Sequence, residues 1–289
     1  MIDVCDIQVM KPLLAFHGFH FSKAKGQNFL IARWVPEQIA AESFVDENTG
    51  VLEIGPGIGS LTQQLCRSAG KVCAVELDTR LEPILAQTVG EFSNLEILWD
   101  DVLKQDVAAL VKRQFPCLRP IACANLPYYI TTPILTALLE ARCFDTITVM
   151  VQKEVALRMA ARPGTGDYGA FSILCQYYAE PELLFEVPPS CFLPQPKVTS
   201  AVVKLNIRRE LPWQIDDPEL FFRVVRTSFA MRRKSLQNGL ASGFPELGRA
   251  GAAEVLESCG LNPGIRGETL DIPTFAAIVA EIQRRRNHD

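Results

Sequence analysis

Val51-Leu52-Glu53-Ile54-Gly55-Pro56-Gly57-Ile58-Gly59 reads as a buried strand running straight into a glycine turn. A short apolar run bounded by glycines fits a central strand. Ser60 to Ala69 then has the pattern of a helix, closed by Gly70. The same alternation continues downstream. Val72 to Glu76, Leu95 to Leu98, Ile121 to Ala124 and Ile147 to Val151 read as four more strands, with helical stretches between them. Strands separated by helices predict a parallel sheet covered on both faces, an α/β fold.

Beyond that region, Pro181 to Val187 and Ala201 to Ile207 have strand character, and a loop rich in proline (Pro188, Pro189, Pro194, Pro196) joins them. After about Arg208 the pattern turns helical. Leu220, Phe221, Val224, Val225 and Phe229 form an apolar stripe with Arg223 and Arg226 opposite, and Ala252 to Ser258 and Phe275 to Arg285 are further helices. The expected division is therefore 1–207 as an α/β domain and 208–289 as a small all-helical domain.

Composition narrows the class. At 289 residues with 48% apolar content, the chain can bury a sizeable core. No apolar run reaches the length of a membrane span, and the first thirty or so residues lack the layout of a signal peptide. Nine scattered cysteines show no C-x-x-C spacing, which predicts reduced, buried thiols and no metal site. A cytoplasmic enzyme is expected. The net charge of −4 gives no general support for a nucleic-acid partner. Lys197 to Lys234 nonetheless nets +5, a local patch candidate.

The strand ends carry the chemistry. Glycines after a buried strand let main chain approach a ligand closely, but such a turn alone fits either NAD or S-adenosylmethionine. The dinucleotide pattern G-x-G-x-x-G requires glycine where Ser60 stands, which argues against NAD. Glu76, about 20 residues after the first glycine, is placed to accept hydrogen bonds from two ribose hydroxyls. Asp78 is then expected to be an ordinary surface acid. Asp101 is a candidate acceptor for the ligand's adenine amine, with helix capping as its competing role.

Asn125-Leu126-Pro127-Tyr128 ends the fourth strand. The lone pair of an adenine amine is delocalised into its ring. An amide oxygen and a neighbouring carbonyl that accept its two N–H bonds favour a more pyramidal nitrogen, aimed at a methylsulfonium carbon. Pro127 fixes the backbone, and Tyr128 offers a ring for stacking.

Together with Lys25-Gly26-Gln27-Asn28-Phe29-Leu30, these motifs resemble the small-subunit ribosomal RNA adenine dimethyltransferase family. The resemblance continues through Val151-Gln152-Lys153-Glu154-Val155-Ala156 and Phe192-Leu193-Pro194-Gln195-Pro196-Lys197-Val198. It ends in Phe229-Ala230-Met231-Arg232-Arg233-Lys234-Ser235-Leu236, so that it covers about residues 15 to 285. Ser235 and Gln237 stand where Thr and Arg are expected.

The resemblance implies that 1–207 is a Rossmann-like methyltransferase domain followed by a small helical RNA-binding domain, with S-adenosylmethionine as cofactor, held by Asn28, Leu30, Gly55, Glu76, Asp101 and Asn125. It implies catalysis by Asn125, Leu126, Pro127 and Tyr128, with Phe192 as a second stacking ring. RNA phosphate contact falls on Arg232, Arg233 and Lys234, while Arg284 to Arg286 read as a solvated run. The implied substrate is a pair of adjacent adenosines near the 3′ end of small-subunit RNA in a pre-ribosomal particle. Alternatives are a large-subunit adenine methylase of the macrolide-resistance type and a non-catalytic nucleic-acid-binding relative. A nicotinamide oxidoreductase leaves Asn125 to Tyr128 unexplained.

Overall fold

A computed structural model describes residues 2–22, 26–231 and 234–286. Seven strands form one sheet: β1 (Thr49–Ile54), β2 (Lys71–Glu76), β3 (Leu95–Trp99), β4 (Arg119–Asn125), β5 (Thr146–Gln152), β6 (Ala179–Val187) and β7 (Ser200–Ile207). Their order is β3-β2-β1-β4-β5-β7-β6. The first five run parallel. β7 inserts antiparallel between β5 and β6, so the sheet is mixed at that edge. The chain leaves β1 towards β2 on one side and reaches β4 on the other. That reversal opens a crevice at the carboxyl ends of the strands.

All six residues of β1 are buried, because both faces of the sheet are covered. On one face Val51, Val72, Ile121 and Met150 pack against α2 (Trp34–Glu42) and α3 (Ser60–Ser68) through Val35, Ile39, Leu61 and Leu65. The helix α1 (Ile7–Phe16), which sequence periodicity did not single out, adds Met10 and Leu14 to a second cluster with Ile58, Leu81 and Leu85. A separate two-stranded pairing joins Phe29–Leu30 to Phe192–Leu193 and so brings together two motifs far apart in sequence.

The chain divides into two compact units, 1–156 with 179–207, and 157–178 with 208–289. The single boundary expected near residue 208 is corrected by the segment 157–178. Its Tyr177 ring stacks on Phe221 at 5.3 Å, and its Tyr168 hydroxyl donates to the Leu270 carbonyl at 2.8 Å. These contacts link residues too distant in sequence for local patterning to reveal. The second unit is built from helices, including Pro218–Ala230, Leu236–Gly243, Gly248–Ser258 and Ile272–Arg286. Its core holds Phe221, Val225, Leu240, Leu256, Phe275 and Ile278, each fully buried.

Candidate active site

A cavity opens in the first unit at the carboxyl ends of β1 to β4. It is lined by residues 26–30, 53–58, 60–61, 75–78, 81, 100–102, 125–130 and 134. Asn28, Leu30, Gly55, Glu76, Asp101 and Asn125 to Tyr128 all line it. The sequence scatters these residues over a hundred positions; the parallel register of β1 to β4 collects them.

The turn after β1 takes left-handed backbone at Gly55 (φ 69°), Gly57 (φ 59°) and Gly59 (φ 91°). A Cβ on Gly55 would meet open space, whereas one on Gly57 would lie 3.2 Å from the Phe29 ring. Bare main chain therefore faces the cavity at Gly55. Gly57 is kept small by a neighbour.

Four carboxylates differ sharply in their surroundings. Glu76 is buried, and it accepts from the backbone N–H of Asp78 at 2.8 Å and of Gly57 at 3.4 Å. Burial raises its pKa, and those N–H groups oppose the shift. Each carboxylate oxygen has a further lone pair for a ligand hydroxyl. Asp78, expected at the surface, is only 3% exposed. It pairs with Arg80 through two hydrogen bonds of 2.8 and 2.6 Å and accepts from Gln27 at 2.9 Å. Asp78 thus ties the Gln27 segment to the end of β2. That cross-chain bond is invisible in local sequence, which is why the surface assignment failed.

Asp101 caps the turn after β3, its Oδ1 accepting from Leu103 N–H at 3.0 Å. One oxygen serves the cap, and the second is available to a ligand amine. Glu53 was not singled out from sequence. It is 1% exposed, lines the cavity, and its Oε2 has no hydrogen-bond partner. Burial, with the Glu76 carboxylate adding to it, pushes its pKa up to about 8. Burial thus favours the protonated form of Glu53. An acid inside the apolar run Val51 to Ile54 was the available signal.

After β4, the Asn125 Nδ2 donates to the Asn28 carbonyl at 3.4 Å, and the Leu126 N–H donates to the Met150 carbonyl at 3.1 Å. The Pro127 carbonyl accepts from Thr131 Oγ1 at 3.0 Å and from Ile130 N–H at 3.3 Å. With the Asn125 nitrogen occupied, its Oδ1 is the acceptor turned to other use. The Pro127 carbonyl is saturated, so the neighbouring acceptor is the Leu126 carbonyl. Tyr128 is half-buried, and its hydroxyl bonds Ser200 Oγ at 2.6 Å.

Phe192 does not join this group. It is fully buried in the core cluster with Leu30, Val35 and Met150, because its strand pairs Phe192 with Leu30. It is not among the residues that line the cavity, where a second stacking ring was expected. The basic stretch is also divided. Lys204 lies almost buried in β7, paired with Glu182 at 3.2 Å and set over the Phe44 ring, so it adds nothing to a patch. Lys234 is exposed, while Arg232 and Arg233 lie outside the described residues.

Arg284 to Arg286 pair with Glu281, Glu254 and Glu246. Six of the nine free cysteines are buried, but Cys117 is exposed. Among the described residues no cluster of His, Cys, Asp or Glu could hold a metal ion, and no helix is long and apolar enough to cross a membrane.

The strand order, the glycine turn and the acids at successive strand ends define a Rossmann-like protein of the methyltransferase type. A model of the ribosomal RNA adenine dimethylase family matches residues 18–281. The ribosomal RNA small subunit methyltransferase A of Geobacillus thermodenitrificans (strain NG80-2) is 46% identical over 273 residues, covering 93% of each chain. Its counterpart in Listeria monocytogenes serotype 4a (strain HCC23) is 47% identical over 271 residues, covering 92% of each. This chain belongs to the ribosomal RNA adenine dimethylase family and is a methyltransferase.

Among solved structures, a dimethyladenosine transferase from Plasmodium falciparum shares the fold. Its TM-score is 0.75 at 24% identity, over 89% of this chain and 98% of that one. The 23S rRNA methyltransferase ErmE matches with a TM-score of 0.64 at 26% identity, over 89% of this chain and 100% of its own.

Proposed function

We propose that this chain dimethylates the exocyclic N6 of two adjacent adenosines near the 3′ end of small-subunit ribosomal RNA. The methyl donor in this reading is S-adenosylmethionine, the substrate a pre-ribosomal particle and the compartment the cytoplasm. The observation that carries the reading is Asn125 at the end of β4, its nitrogen tied to Asn28 and its oxygen left to accept from an amine beside the glycine turn.

The residues fit the cofactor. Exposed main chain at Gly55, the unpartnered buried oxygen of Glu53 and the remaining lone pairs of Glu76 form a donor and acceptor set suited to a nucleoside with an amino-acid tail. When bound, S-adenosylmethionine supplies an electrophilic methyl group. Glu76 would hold the ribose hydroxyls and Asp101 the adenine amine, with Asn28, Leu30 and Gly55 shaping the remaining wall. Asn125 Oδ1 and the Leu126 carbonyl accept the two N–H bonds of the target amine, orienting its lone pair. Tyr128 supplies the face on which the base stacks.

The helical unit would position the RNA through phosphate contacts at Lys234 together with Arg232 and Arg233. A chain of net charge −4 has little non-specific affinity for naked RNA, which favours a shaped, partly assembled particle. The test is mass spectrometry of dimethyladenosine formed on immature small subunits, on protein-free small-subunit RNA and on large-subunit RNA at matched salt. Formation on the immature subunit alone is expected. Equal rates on free RNA would remove the particle requirement, and activity confined to large-subunit RNA would overturn the substrate.

A further inference from the structure

The mouth of the cavity holds an aromatic ring with no role so far. Tyr129 follows Tyr128 in the short 3-10 turn Tyr128–Ile130. Three residues complete such a turn, so neighbouring side chains diverge by roughly 120°. Tyr128 is held by its hydroxyl to Ser200. Tyr129 lines the same cavity yet is 53% exposed.

One side of its ring is supported by main chain. A Cβ placed on Gly26, where φ is 58°, would lie 3.3 Å from Tyr129 Cδ1. The ring thus rests against a backbone that carries no side chain, and about half of the residue is open to solvent. Among the described residues no hydrogen bond holds its hydroxyl, so neither polar anchoring nor burial accounts for its position. A half-exposed aromatic fixed on one side and open on the other is the form of a stacking platform.

We propose that Tyr129 stacks against the base next to the adenosine that enters the cavity. The proposal rests on the reading of this chain as an RNA adenine methyltransferase. Stacking adds affinity without charge, which suits an acidic chain, and it accepts any base because every base has a π-face. With adjacent adenosines as substrate, the platform keeps the second one beside the cavity while the first reacts.

The test measures methyl transfer to immature small subunits by the wild type, Tyr129→Ala, Tyr129→Leu and Tyr129→Trp. Calorimetric titration with S-adenosylmethionine runs alongside. Loss of one stacked base is expected to raise the RNA KM about 5- to 150-fold in the Ala and Leu variants. Turnover at saturation and cofactor affinity should change far less, and Tyr129→Trp should restore most of the KM. In addition, an RNA carrying 2-aminopurine beside the target adenosine should lose fluorescence on binding the wild type but not the Leu variant. A Tyr129→Leu enzyme with wild-type KM and wild-type quenching overturns the platform while leaving the function intact. A wild type that transfers no methyl group to ribosomal RNA removes the function and the platform together.

Discussion

Two loops of this protein carry the same ingredients, an aromatic ring beside proline at the end of a strand, and the fold uses them in opposite ways. The loop after β4 presents Asn125, the Leu126 carbonyl, Tyr128 and Tyr129 to a cavity. The loop between β6 and β7 turns Phe192 inward, where Leu30, Val35 and Met150 enclose it. The difference comes from hydrogen bonding of the main chain. The first loop leaves the sheet at the carboxyl edge, and after the Leu126 N–H bond to the Met150 carbonyl it turns into the short 3-10 turn Tyr128–Ile130 rather than into another strand. The second is stitched at once to Phe29–Leu30, which fixes the face its side chains take. Aromatic-proline motifs therefore mark a site only where the segment that carries them is not drawn into a further strand pairing.

The largest effect that sharpens this contrast is expected at Phe192. Truncating a fully buried phenylalanine in a packed core costs about 3–5 kcal/mol. Phe192→Ala should lower the unfolding free energy from denaturant titration by that amount and reduce activity only in proportion to the folded fraction. A variant with wild-type stability and a raised RNA KM would break the contrast and return Phe192 to the site.

Asn125→Ala should show the reverse. Removing one oriented acceptor at the reacting amine is expected to slow methyl transfer by about a hundredfold or more. The side chain is partly exposed and makes one long bond to Asn28, so thermal unfolding should shift little. Normal turnover in this variant would exclude the proposed activation of the amine.

How far the sequence exposed these roles follows from the range of the interactions involved. All seven strands of the main sheet were legible, because alternation of apolar runs with glycine and proline is a local signal. Gly55, Glu76, Asp101 and Asn125 to Tyr128 were also legible, since each closes or follows a strand whose place in the order could be counted, whereas Asn28 and Leu30 came only with the family resemblance. What stayed hidden depended on pairing across the chain. Asp78 becomes buried through Gln27, fifty-one positions away. Phe192 enters the core through its pairing with Leu30. Residues 157–178 join the helical unit through Tyr168 and Tyr177. Glu53 went unread for another reason: a lone acid in an apolar run signals burial, but only the surroundings reveal that one of its oxygens has no partner.

The smallest expected effect tests a bond that joins the first loop to the start of β7, where the second loop ends. The Tyr128 hydroxyl and Ser200 Oγ, at the first residue of β7, lie 2.6 Å apart, and Ser200 is completely buried. If this bond only holds the Tyr128 ring in place, its loss should register in stability and barely in chemistry. Tyr128→Phe strands the serine hydroxyl, and Ser200→Ala strands the phenol. Each is expected to cost about 1–3 kcal/mol, the penalty for a polar group left without a partner. The double variant removes both groups and should be less destabilised than the sum of the singles, a positive coupling readable by denaturant titration. Methyl transfer by Tyr128→Phe should stay within a few fold of wild type, because the stacking face survives. A Phe variant as inactive as Tyr128→Ala would instead place the hydroxyl itself at the reacting amine, and the bond to Ser200 would then be part of the chemistry of the first loop.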